Sequence, residues 1–117
     1  MTVSEAITAI RNERPNTVEE EQLISWLEDV DRRINVDVLE PLGQGVEETE
    51  YDMTTVLIVP DTFRQLYVYW LAAMIDYRYQ EISMYNNDYV MFNSMFESFA
   101  SWYRKKHGNQ DGLKFKY

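Results

Sequence analysis

The chain has 117 residues, 45% hydrophobic and 15% aromatic, with a formal net charge of −9 and no cysteine. That length sets a single domain able to bury roughly 60–70% of its unfolded surface. The lack of cysteine excludes disulfides, thiolate metal sites and thiol nucleophiles, and fits a protein made in a reducing cytoplasm.

Charge is unevenly placed. Residues 1–103 carry 19 acids against 6 Lys/Arg, a net of −13, whereas residues 104–117 carry 5 Lys/Arg and one Asp, a net of +4. So acidic a body lacks the basic face that a groove-reading nucleic-acid binder needs. The basic end reads either as a solvated tail or as an arm for an acidic partner. Met1-Thr2-Val3-Ser4-Glu5 lacks the basic region and apolar core of a signal peptide, so export by that route is not expected. The longest apolar run, Leu66 to Ile75, is half of what a membrane-spanning helix requires.

In chain order, Thr2 and Glu5 have the spacing of a capping box and predict a short first helix with Val3, Ile7 and Ile10 on one face. Arg14 before Pro15 predicts its end. Thr17 and Glu20 repeat the capping-box spacing, with Glu19, Glu20 and Glu21 in the first turn, where the helix dipole favours acids. Leu23, Leu27, Val30 and Ile34, with Trp26 beside them, make the buried stripe of this second helix. Glu28 with Arg32 and Asp29 with Arg33 are spaced as surface ion pairs. The helix should fade between Val36 and Glu40, because Pro41 and the glycines at 43 and 45 forbid its continuation.

Residues 42–62 form a long loop. Its first half is acidic, with Glu47, Glu48, Glu50 and Asp52 as candidates for facing a channel or a partner. Thr54 to Val59 is strand-like and closes at Pro60. It could pair within the loop, with Val36 to Val38, or with an edge in another subunit.

Asp61 or Thr62 is expected to cap the third helix. From Leu66 to Ile75 that helix is apolar on every face, so it must be covered all round. In so short a chain, the part of that cover which one or two helices leave open is expected from a third element or another subunit, with Tyr67, Trp70, Leu71 and Met74 as candidate subunit contacts. Asn86-Asn87-Asp88 reads as a break that separates a third from a fourth helix. The stripe Tyr85, Tyr89, Phe92, Phe96, Phe99, Tyr103 keeps its period across that break, so one long helix is the competing reading. Ser94, Glu97, Ser98 and Ser101 face away from the stripe. Arg104, Lys105, Lys106 and His107 suit a helix C-terminus, and Gly108-Asn109 reads as the stop. Leu113-Lys114-Phe115-Lys116-Tyr117 alternates apolar and basic residues as a strand does, and Leu113, Phe115 and Tyr117 are candidate docking residues.

The expected fold is all-α: a small antiparallel bundle of about four helices over residues 1–107, with a loop holding a short β segment between helices 2 and 3. Residues 108–117 read as an extended tail, flexible until bound. No phosphate-cradling loop, nucleophile elbow or two-histidine motif occurs, and the lone His107 cannot supply a di-iron or zinc site. No cofactor and no enzyme activity are expected.

Leu66-Tyr67-Val68-Tyr69-Trp70-Leu71, Ile75-Asp76-Tyr77, Glu81-Ile82, Tyr85-Asn86-Asn87, Phe92-Asn93, Trp102-Tyr103-Arg104 and His107 together resemble the head-to-tail connector (adaptor) proteins of long-tailed bacteriophages of Gram-positive hosts. Glu21 to Leu27, Asp29 to Ile34 and Leu57-Ile58-Val59-Pro60 are similar to the same family. The resemblance implies a virion protein of the neck, made in the host cytoplasm. Such a protein assembles as a ring of about twelve copies beneath the portal, although it can be a monomer beforehand. Its partners would be the portal protein, other copies of itself, and a head-completion, stopper or tail protein, with duplex DNA sliding past unread. The alternative is a free-standing acidic helical regulator that binds a basic partner.

Overall fold

A computed structural model describes the backbone of residues 1–114 and the side chains up to residue 108. Among these residues the fold is all-α, with helices α1 (Val3–Glu13), α2 (Glu20–Ile34), α3 (Gln65–Arg78) and α4 (Ile82–Lys114).

Helix α1 starts as its spelling predicts. The Thr2 side chain accepts from the Glu5 amide at 3.2 Å and Glu5 accepts from the Thr2 amide at 2.8 Å, completing the capping box, and Arg14 is the C-cap. The same spelling fails at α2. That helix is capped by Glu19 with no side-chain hydrogen bond, and the Thr17 hydroxyl lies 3.5 Å from the Tyr79 hydroxyl instead. The α2 stripe is as read: Leu23, Leu27, Val30 and Ile34 are all buried. The helix then unwinds in stages, through one π turn at Asn35–Leu39 and a 3-10 turn at Glu40–Leu42, and ends at Gly43 in the left-handed conformation. Pro41 removes a donor just there, and only a residue without a Cβ enters that conformation at little cost.

The strand-like segment forms no sheet. A single antiparallel bridge joins Val56 to Thr2, with Val3 N–H donating to Thr55 O and Leu57 N–H to Met1 O, both at 2.9 Å. Its partner is therefore the chain's own N-terminus, which none of the three expected pairings named. Asp61 caps no helix. It accepts from the N-terminal ammonium at 2.7 Å, and α3 begins after a 3-10 turn at Asp61–Phe63.

Helix α3 is the centre of the molecule, packed on α4, α2 and α1. Most of its apolar surface is covered by the chain itself: Leu66, Tyr67, Val68, Leu71, Ala72, Ala73 and Ile75 are all buried, while Tyr69, Trp70 and Met74 are half-buried. Phe92, Phe96, Phe99 and Ala100 of α4 close the core from the other side. Of the two sources of cover expected, a third element or another subunit, the fold supplies the first, and Tyr67 and Leu71 are corrected from subunit contacts to core residues.

The bend between α3 and α4 falls at Tyr79–Glu81, and α4 runs unbroken through Asn86-Asn87-Asp88. Gln80 carries the bend with φ +60°, the left-handed region that costs a residue with a Cβ about 1–2 kcal/mol. Gln80→Gly is expected to stabilise the fold by about 0.5–1 kcal/mol after glycine's unfolded-state entropy is subtracted. A urea melt should show this as a higher midpoint at unchanged slope. At its other end α4 passes through Gly108 to Lys114, so Gly108-Asn109 is not the stop and Leu113-Lys114 is not extended.

Candidate interaction surfaces

The loop after α2 folds back as a strap along one polar edge of that helix. Asn35 holds Val46 by two hydrogen bonds of 2.9 Å, one to its carbonyl and one from its amide. Arg32 Nε meets Glu48 at 3.0 Å, and Glu28 accepts from the Tyr51 amide at 2.7 Å. These positions recur at helical spacing, so α2 presents a ladder of polar side chains to the strap. The expected Glu28–Arg32 and Asp29–Arg33 pairs do not form. Arg32 instead pairs with Asp29 and Glu48, and Arg33 with Asp37.

The ladder's buried rung is Asp31, 1% exposed and set within the α2 stripe four residues after Leu27. Its carboxylate accepts from Tyr67 Oη at 2.5 Å, Tyr51 Oη at 2.7 Å and the Ile58 amide at 3.1 Å. Tyr67 Oη in turn accepts from the Val59 amide at 2.8 Å. Burial pushes the Asp31 carboxyl up from its ordinary value while these three donors pull it down. Burial and the neighbouring carboxylate raise both tyrosine hydroxyls. The network fixes Ile58 and Val59 to the core and thereby fixes where α3 begins. Above it a groove of about 240 Å³ lies between α2 and the strap, walled by Glu28, Arg32, Glu47, Glu48 and Val56.

Of the residues expected at an interface, Tyr67 and Leu71 are fully buried inside the chain's own core, and Tyr67 is a hydrogen-bonding core residue. Trp70 and Met74 are half-buried, and Trp70 Nε1 donates to Trp26 O at 2.8 Å. Leu113 lies on the α4 backbone, and Phe115 and Tyr117 lie outside the described residues. Glu47, Glu48, Glu50 and Asp52 are all exposed on the strap. Asp52 turns part of its charge inward on the loop, accepting from the Thr54 amide at 2.8 Å and the Thr54 hydroxyl at 2.6 Å, which holds its carboxyl below the usual range.

Several exposed large apolar side chains lie elsewhere, at the α3–α4 bend and the opening turns of α4. Tyr77 is 65% exposed, Val90 65% and Ile82 58%, and Tyr79, Met84 and Met91 are exposed beside them. Tyr77 and Tyr85 (5.5 Å) and Tyr85 and Tyr89 (5.6 Å) stack in sequence from this end toward the core. Met84 and Met91, seven residues apart, share a side of α4 away from that aromatic stripe, and Val90 lies on a third side. These apolar side chains stand exposed among the likewise exposed Ser83, Asn86 and Asn87. Reading Asn86-Asn87-Asp88 as a break between two helices, in preference to one long helix, hid these apolar residues. The signal was the apolar residues at 82, 84, 90 and 91, which the core stripe does not use.

At the far end of α4, Arg104, Lys105 and Lys106 are exposed, with Lys106 Nζ 4.9 Å from the Trp102 ring centre. Among the described residues no group of His, Asp and Glu is placed to hold a metal ion, and no helix is long and apolar enough to cross a membrane. Comparison of the chain with models of known families, with curated proteins and with solved structures finds no match.

Proposed function

We propose that this protein is a structural connector of a bacteriophage neck, an adaptor whose copies form a ring under the portal, extend the DNA channel and dock the next connector or tail component. The observation that carries this reading is the open apolar surface of Tyr77, Tyr79, Ile82, Met84, Val90 and Met91. It is rich in tyrosine and methionine, residue types that interface cores favour over the general surface. Because the fold buries Tyr67 and Leu71 of α3, this surface takes over the role of subunit contact first expected of them.

Two further features support the reading. Glu47, Glu48 and Glu50 stand exposed on the strap, and acids lining a channel let duplex DNA pass without sticking. The residues that carry the resemblance to phage adaptors, from Leu66 to His107, build α3, the bend and most of α4.

The test is to add the purified protein to portal-bearing, DNA-filled heads and image them by electron microscopy. The expected result is an added ring of density beneath the portal. Bare portals, together with tight binding to a basic cytoplasmic protein, would replace the connector with the acidic regulator.

A further inference from the structure

One cluster of charges lies beside the α3–α4 bend and includes none of its exposed apolar residues. Arg14, the C-cap of α1, is bonded to two carboxylates drawn from two other helices, Asp76 in the last turn of α3 and Asp88 in the second turn of α4. Its NH1 donates to Asp76 Oδ1, and its NH2 donates to Asp88 Oδ2 at 3.0 Å. Asp76 is 2% exposed, and its second oxygen, Oδ2, has no hydrogen-bond partner. Arg11, one turn earlier on α1, is engaged with the Asn16 and Val18 carbonyls. The charged groups acting on Asp76 are therefore Arg14 from α1 and Asp88 from α4.

With both acids ionised, two negative charges face one positive charge in a partly buried site, and the buried Asp76 Oδ2 is left without a donor. Like charges held together disfavour double ionisation, and a buried acceptor without a donor is costly. A proton on Asp76 answers both: it removes the excess charge and turns Oδ2 into a donor beside Asp88.

We infer that Arg14, Asp76 and Asp88 form a proton-binding clasp, which closes the end of α1 onto the α3–α4 bend more tightly when Asp76 is protonated. Burial first, and then the Asp88 carboxyl, raise the Asp76 carboxyl to about 6 against the pull of Arg14. The folded protein thus binds this proton more tightly than the unfolded chain does. The stabilisation is fully present below the ordinary aspartate range and is lost as pH rises through about 6. Acidification from neutral pH tightens the clasp, the opposite of what a simple salt bridge would do.

The test is to follow the side-chain carboxyl carbon of Asp76 by NMR across pH 3.5–8 in the full-length protein, with Asp88→Asn and Asp76→Asn as variants. The wild type is expected to titrate with a midpoint near 6, and Asp88→Asn should move that midpoint down toward the ordinary aspartate value. Asp76→Asn, whose amide can accept from Arg14 and donate to Asp88, should melt above the wild type at pH 7.5, with the gap closing by pH 5. A wild-type midpoint near 4, or a midpoint that Asp88→Asn leaves in place, would overturn the clasp. So would an Asp76→Asn protein that melts below the wild type by the same margin at both pH values.

Discussion

Asp31→Ala is expected to lower the free energy of unfolding by about 3–5 kcal/mol, a large share of the roughly 5–15 kcal/mol that holds a domain folded. The change strands three donors at once: the Tyr67 and Tyr51 hydroxyls and the Ile58 amide. A buried donor left without an acceptor costs about 1–3 kcal/mol. The lower part of that range applies to Tyr51, which is half-exposed and can turn toward water. For a chain of this size the loss corresponds to a fall in melting temperature of roughly 12–25 °C.

Tyr67→Phe should cost less, about 1–3 kcal/mol, because it removes one donor and leaves the Val59 amide without its acceptor. The double variant should cost less than the sum of the two single ones, since the residues share one network. Urea melts measure all three. The independent readout is hydrogen exchange at the Ile58 amide, expected to accelerate in Asp31→Ala. A loss below about 1 kcal/mol for Asp31→Ala would mean that apolar packing alone holds the loop on the core.

These residues also show which parts of the fold were legible in the sequence. The Leu23–Ile34 stripe and the Phe92–Phe99 stripe could be read because helical spacing decides them locally, and both are buried as spacing requires. The capping box at Thr2 could be read for the same reason, yet identical spelling at Thr17 failed. There a residue from the far side of the chain, Tyr79, sits against the hydroxyl. The break expected at Asn86-Asn87-Asp88 rested on turn propensity, which tertiary contacts outweigh: Asp88 is bonded to Arg14, 74 residues away. The actual bend has no glycine, asparagine or aspartate to announce it.

Asp31 itself was legible in part. It is an acid four residues from Leu27 and one from Val30, hence on the buried face of α2, whereas its neighbours Glu28 and Asp29 point toward the strap and solvent. What no local pattern supplies is the pair of tyrosines that satisfies it, one from the strap and one from α3. Two of the candidate interface residues, Tyr67 and Leu71, proved to be core for a related reason. An apolar circumference identifies a helix that must be covered, but not what covers it. Here α1, α2 and α4 bury most of α3, and the more exposed apolar residues of α3 and α4 lie at and after the bend.

Those exposed residues carry the second large prediction. Ile82→Glu combined with Val90→Glu should abolish addition of the ring to portal-bearing heads while leaving the fold intact. Both side chains are more than half exposed, so each change should alter stability by no more than about 0.5 kcal/mol. In an assembled interface the same charges would be desolvated without a partner, which costs several kcal/mol per contact and is repeated at every subunit boundary of a closed ring. Val56→Glu is the matched control: Val56 is 69% exposed but lies on the bridge to the N-terminus, away from the bend. The double variant should therefore keep the wild-type melting curve and lose the ring, and Val56→Glu should keep both. Rings formed normally by the double variant would remove the bend surface as the subunit contact. Loss of the ring in Val56→Glu alone would transfer that role to the N-terminal edge.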